Sequence, residues 1–153
     1  LEDVIRENKI ESIVHFAGKI QVGESVRRPA LYFEVNLVRS LALLDVALAA
    51  GVSRFIFSST AAVYGAPDQC PIPESACLSP LNPYGASKLG VEHALRAYAE
   101  AYGLRYAALR YFNAAGAHPD GAGWIIELPR DEAQAALAAL IAVGVEIREV
   151  RPL

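Results

Sequence analysis

Three short apolar runs, Ser12 to Phe16, Arg54 to Ser59 and Arg105 to Tyr111, are separated by stretches long enough to hold a helix. That alternation constrains the fold more than any other feature of the chain. Between the first two runs, Pro29 opens a segment reaching about Ala50 in which Leu37, Leu41, Leu44 and Leu48 recur at intervals of four, three and four. Such spacing marks the apolar stripe of a helix, and Gly51 is placed to close its end. Between the second and third runs, Pro83 to Tyr102 sets Val91, Leu95, Tyr98 and Tyr102 on one stripe and meets Gly103. Ahead of the first run, Leu1 to about Asn8 places Leu1, Val4 and Ile5 on one helical face. Strands joined by helical crossovers lie parallel. Parallel strands are covered on both faces, and this is expected of Ser12 to Phe16.

Composition narrows the class. The chain has 153 residues, 54 % of them hydrophobic and 20 % charged, enough to bury a core and too apolar for disorder. A net charge of −3 without a basic run argues against nucleic acid as a partner. Every apolar run is broken by charge or Gly well short of a membrane span. Cys70 and Cys77 sit in a Pro-rich loop from Ala66 to Pro83, at a spacing that fits no zinc pattern, redox pair or disulfide framework. Free thiols, no metal site and a cytoplasmic location are expected.

The chemistry concentrates at the strand ends, where open α/β sheets bind their ligands. The second run closes on Ser58-Ser59-Thr60, and the following helix begins Asn82-Pro83-Tyr84-Gly85-Ala86-Ser87-Lys88. Residues four apart share a helical face, so Lys88 stands one turn from the Tyr84 phenol. A nearby cation favours the ionised form of an acid, which suits Tyr84 to act as a base. Thr60 is placed to hydrogen-bond the same substrate hydroxyl. The pair alone is a weak signal; its setting between a hydroxyl-rich strand end and an Asn-Pro-Tyr-Gly helix start gives it weight. His15 reads as a packed, hydrogen-bonded strand residue rather than a catalytic one.

These segments resemble the extended short-chain dehydrogenase/reductase family, within it the branch acting on C4 of UDP-hexoses. The motifs are His15-Phe16-Ala17-Gly18, Val22-Gly23-Glu24-Ser25-Val26, Phe57 to Gly65, Tyr84-Gly85-Ala86-Ser87-Lys88 and Leu109 to Pro119, in the family's order. The resemblance implies an α/β fold, a partial Rossmann-like parallel sheet with helical crossovers. It also implies NAD as cofactor, a UDP-hexose as substrate, transient oxidation to a 4-keto sugar, and room for a homodimer. By the same resemblance, Thr60, Tyr84 and Lys88 are catalytic. Phe16, Ala17, Gly18, Asn36, Tyr84, Lys88 and Phe112 bind the cofactor, and Thr60 and Asn113 bind the substrate. Without it, Asn36 would read as an exposed helix residue and Asn113 as a turn residue. The family often carries a Lys two residues after the Gly of the first motif; here that position is Ile20, with Lys19 before it.

Residues 1–121 therefore read as a partial NAD-binding and catalytic unit. No Gly-rich strand–turn–helix precedes His15, and the substrate domain expected after Gly121 is absent, so the chain reads as an incomplete copy of a longer protein. Residues 122–153 read as a β-α-β tail without assigned function: a strand at Trp124 to Leu128, a helix from Asp131 to about Ala142 and a strand at Val145 to Arg148. A non-catalytic remnant or binding module, and another NAD-dependent nucleotide-sugar enzyme, stay open as alternatives. A 4,6-dehydratase would need an acid pair where Ala61-Ala62 stands.

Overall fold

A computed structural model describes residues 1–112. The expected tail strands and helix, and Asn113, lie outside the described residues. The order of elements is α1 (Glu2–Glu7), β1 (Ser12–His15), α2 (Val22–Arg27), α3 (Pro29–Tyr32), a π-helical segment (Phe33–Val38), α4 (Arg39–Ala49), β2 (Arg54–Thr60), a 3-10 turn (Ala61–Tyr64), α5 (Pro83–Tyr102) and β3 (Arg105–Tyr111). The strands form one parallel sheet in the order β1-β2-β3.

Local chemistry fixes the boundaries. Asn82 caps α5 by accepting the Gly85 N–H at 2.9 Å, and Pro83 takes the first helical position, where a missing N–H costs nothing. Gly103 ends the helix at φ +72°, a left-handed conformation that glycine adopts without strain. Gly51, at φ +92°, does the same after α4. Phe55 and Phe57 of the central strand point to one face, where they are covered by Leu44 of α4 and by Val91 and Leu95 of α5; all five are fully buried.

Two features depart from the sequence pattern. The helix from Pro29 is not α throughout: its middle turn is π-helical. Tyr32, Asn36, Ser40 and Leu44 are all buried, at intervals of four. Steps of four drift by about 40° per step around an α-helix, and the wider π turn absorbs that drift. Exposure is the second departure. Val14 is 49 % exposed, because β1 pairs only with β2 among the described residues and α4 and α5 cover one face of the sheet. Strand β1 is thus not covered on both faces. Leu1, Val4 and Tyr102 are likewise exposed, leaving Ile5, Val91 and Leu95 as the buried members of their stripes. No helix among the described residues is long and apolar enough to cross a membrane.

The register positions the site. Strand β1 stops at His15, opposite Phe57, whereas β2 and β3 run on together to Thr60 and Tyr111. The chain leaving β1 at Phe16, Ala17 and Gly18 therefore passes beside the last residues of β2.

Candidate functional site

Lys88 is the centre of the arrangement. It is 2 % exposed, and its Nζ donates to the Ser58 carbonyl at 2.9 Å and lies 4.7 Å from the centre of the Phe57 ring. A Cβ added to Gly18 would lie 3.5 Å from that nitrogen and 3.0 Å from Asn36 Oδ1, so the β1 loop closes over both. Burial lowers the lysine pKa from 10.5 to about 8. Of its three donors, one is taken by Ser58 among the described residues.

Thr60 ends β2 with its Oγ1 accepting the Ala62 N–H at 3.1 Å. The hydroxyl proton remains to be donated, so Thr60 presents a donor. The turn after it is pressed against the start of α5. A Cβ on Gly85 would come within 2.7 Å of the Ala62 carbonyl oxygen, so glycine is what allows the approach. Tyr84, the residue before, is half-buried, and its ring meets the fully buried Tyr32 ring edge-on at 6.5 Å. The Tyr32 hydroxyl is itself held between the Gln21 carbonyl at 2.7 Å and Glu24 Oε2 at 3.0 Å.

Asn36 is buried, not the exposed helix residue its sequence context alone would give. Its Oδ1 accepts the Lys19 N–H at 2.8 Å, while Nδ2 donates to the Lys19 carbonyl at 2.9 Å and to Ser87 Oγ at 3.2 Å. Both amide protons are spent inside the protein. Lys19 directs its ammonium to Glu24 at 3.3 Å, and Ile20 is exposed. His15 is packed as expected, against Phe55 and Phe57, with Nε2 2.9 Å from Ser40 Oγ. Because Ser40 donates its proton to the Asn36 carbonyl at 2.7 Å, it accepts from His15, which carries its proton on Nε2. Burial, then the Lys88 charge, lowers the imidazole pKa and keeps it neutral. Phe16 and Phe112 are exposed at the ends of β1 and β3, and Ala17 and Gly18 are exposed beside Phe16.

Sequence reasoning missed a polar cluster behind these residues. Glu92 of α5 takes Arg110 Nη2 at 2.7 Å and accepts the Ser59 hydroxyl; Arg110 also donates to the Tyr64 phenol at 2.8 Å. The available signal was spacing: Tyr84, Lys88 and Glu92 fall at intervals of four.

A parallel sheet with helical crossovers, carrying its polar groups at the strand ends, makes this a Rossmann-like α/β protein. The chain belongs to the NAD dependent epimerase/dehydratase family, which it matches over residues 1–141, past the boundary expected at Gly121. It is 52 % identical over 121 residues to the UDP-glucose 4-epimerase of Azospirillum brasilense, covering 79 % of this chain and 35 % of that protein. It is 50 % identical over 121 residues to that of Rhizobium meliloti (strain 1021), covering 79 % and 37 %. Among solved structures, UDP-glucose 4-epimerase from Brucella ovis in complex with NAD superposes with a TM-score of 0.76 at 43 % identity, over 86 % of this chain and 39 % of that one. The Bifidobacterium longum enzyme in complex with NAD+ and UDP gives 0.74 at 42 %, over 84 % and 39 %. The chain spans about a third of the length of the curated relatives it matches.

Proposed function

We propose that this chain carries the catalytic middle of an NAD-dependent epimerase acting at C4 of a UDP-hexose. The observation that carries the reading is Lys88: a buried ammonium, on the helix that bears Tyr84, anchored to the strand that ends in Thr60. The residues present fit a dinucleotide. Gly18 and Ala17 leave the end of β1 without bulk, Phe16 and Phe112 offer exposed rings, and Lys88 has donors to spare for a ribose. Held there, NAD would supply the hydride acceptor and donor for C4.

The chain's own groups handle the proton. Thr60 donates its hydroxyl proton to the sugar 4-oxygen and orients it, since its acceptor side is engaged by Ala62. Tyr84 takes the 4-OH proton as the base and returns it once the 4-keto sugar has turned over. Lys88 supplies positive charge one turn away. Asn36 acts mainly through the backbone it grips at Lys19. Asn113 contacts the nucleotide-sugar in this reading. Residues 1–121 form the catalytic unit and 122–153 a tail of unassigned role, in a cytoplasmic protein that pairs as a homodimer.

The test has two arms. Built into a chain of its relatives' length, Tyr84→Phe abolishes interconversion of UDP-glucose and UDP-galactose and leaves NAD bound; retained turnover refutes the assignment of the base. For the chain itself, desalting after incubation with NAD separates a usable cofactor site, which retains the nucleotide, from a non-catalytic remnant, which does not.

A further inference from the structure

Beneath the site lies a part-buried ion pair that the reaction as described does not use. Glu92, 8 % exposed, stands one turn after Lys88 on the same face of α5. Its carboxylate receives the Arg110 fork, Nη2 at 2.7 Å to Oε2 and Nε at 3.2 Å to each oxygen, together with the Ser59 hydroxyl. Arg110 comes from β3 and is fixed in turn: Nη1 donates to the Tyr64 phenol at 2.8 Å and to the Glu74 carbonyl at 3.4 Å, and the guanidinium lies 5.0 Å from the centre of the Tyr64 ring.

The two buried charges of α5 thus reach consecutive residues of β2, Lys88 the Ser58 carbonyl and Glu92 the Ser59 hydroxyl. Opposite charges one turn apart on a helix attract, and burial removes the water that would screen them. A carboxylate left unclaimed here would turn to the ammonium. As a source of stability the Glu92–Arg110 pair explains little, because buried ion pairs scarcely outperform apolar residues of the same volume. As a means of keeping two charges on one helix apart, it explains the fork, the Tyr64 brace and the Ser59 contact together.

We propose that Arg110 is a positioning residue: its fork claims the Glu92 carboxylate, so that the Lys88 ammonium stays free to face Tyr84 and the cofactor instead of pairing down its own helix. The function assigned to that freedom rests on the epimerase reading above; the electrostatic arrangement does not. Among the described residues, the groups near Lys88 come from four elements, and Asn36 lies beside Gly18 with its amide engaged at Lys19 and Ser87. Strand β2 presents the Ser58 carbonyl and the Phe57 ring, the β1 loop presents Gly18, and β1 presents His15, neutral through burial and the Lys88 charge. Helix α5 carries Tyr84 one turn before Lys88 and Glu92 one turn after it, with Arg110 of β3 paired to Glu92.

The lysines of the chain are Lys9, Lys19 and Lys88, so selective 13C labelling of lysine lets NMR follow each titration, with Lys88→Met assigning the signal. The experiment uses the 153-residue chain without cofactor. Arg110→Met frees the carboxylate and raises the Lys88 midpoint by about one unit. Arg110→Lys keeps the cation but not the fork and raises it less. Glu92→Gln leaves the Arg110 charge uncompensated and lowers the midpoint. The Arg110→Met/Glu92→Gln double variant returns it to the wild-type position. An unchanged midpoint in both Arg110 variants, or shifts of the same sign for Arg110 and Glu92 variants, overturns the proposal. If Arg110→Met does not fold, the opposite signs of Arg110→Lys and Glu92→Gln decide it. A negative result leaves the Tyr84 assignment standing, and turnover by Tyr84→Phe removes that assignment whatever Lys88 does.

Discussion

Two glycines of α5 turn one substitution into opposite outcomes. Replacing Gly by Ala inside a helix ordinarily stabilises it by up to about 1 kcal/mol. At Gly90 the new methyl would meet the two Cδ atoms of Leu37 at 3.1 Å, the far end of a side chain that yields by a small rotation. At Gly85 it would meet the Ala62 carbonyl oxygen at 2.7 Å and the Ala62 carbonyl carbon at 3.1 Å, with Pro80 Cβ at 3.0 Å on the other side. Backbone and a proline ring do not rotate away, so the first turn of α5 must move by several tenths of an ångström. Overpacking of this kind costs about 1–3 kcal/mol. Set against the propensity gain, Gly85→Ala loses about 1 kcal/mol net, whereas Gly90→Ala is neutral or slightly stabilising. Urea denaturation of both variants at one pH, read by circular dichroism, measures the difference. Gly85→Ala as stable as Gly90→Ala would show that the α5 start and the turn after Thr60 are not pressed together, and the juxtaposition of Thr60 with Tyr84 would lose its support.

Other outcomes follow from burial. Because the folded Lys88 has a pKa of about 8, the unfolded chain binds more protons between that value and 10.5, and stability rises with pH across this window. Between about pH 8 and 9.5, below ordinary tyrosine ionisation, the gain is on the order of 2 kcal/mol. Urea titrations of the wild type and of Lys88→Met should diverge by that amount, and parallel curves would contradict a buried ammonium. Leu95→Ala, at a fully buried position against Phe55 and Phe57, should cost about 2–5 kcal/mol in the same assay. A loss under 1 kcal/mol would mean that α5 is not seated on the sheet.

Much of this fold was readable because its boundaries carry chemistry. Asn82-Pro83 and Gly103 delimit α5 with groups that satisfy or relieve backbone ends, and β3 was bounded correctly at Arg105 and Tyr111. Periodicity marks a stripe without saying what lies against it. That is why Val14 and Tyr102 were expected inside and are found exposed. Asn36 was misplaced by its own residue pattern because a π turn shifts the phase of the helix, which no single residue announces. Lys88, Tyr84 and Thr60 were singled out through spacing and strand ends. Arg110 and Glu92 were not, since their pairing exists only once β3 lies beside β2 and α5 crosses both.

Asn36 also limits how these parts can move. One amide, shut away from solvent, ties together the peptide at Lys19, the helix it belongs to and the second turn of α5 through Ser87. For the stretch after β1 to part from the helix bearing Asn36, two half-buried bonds at Lys19 would have to break, and for that helix to part from α5, the buried bond to Ser87. The loop that leaves β1 and the helix bearing Tyr84 are thereby tied through one side chain, and displacing either one loads the Asn36 amide.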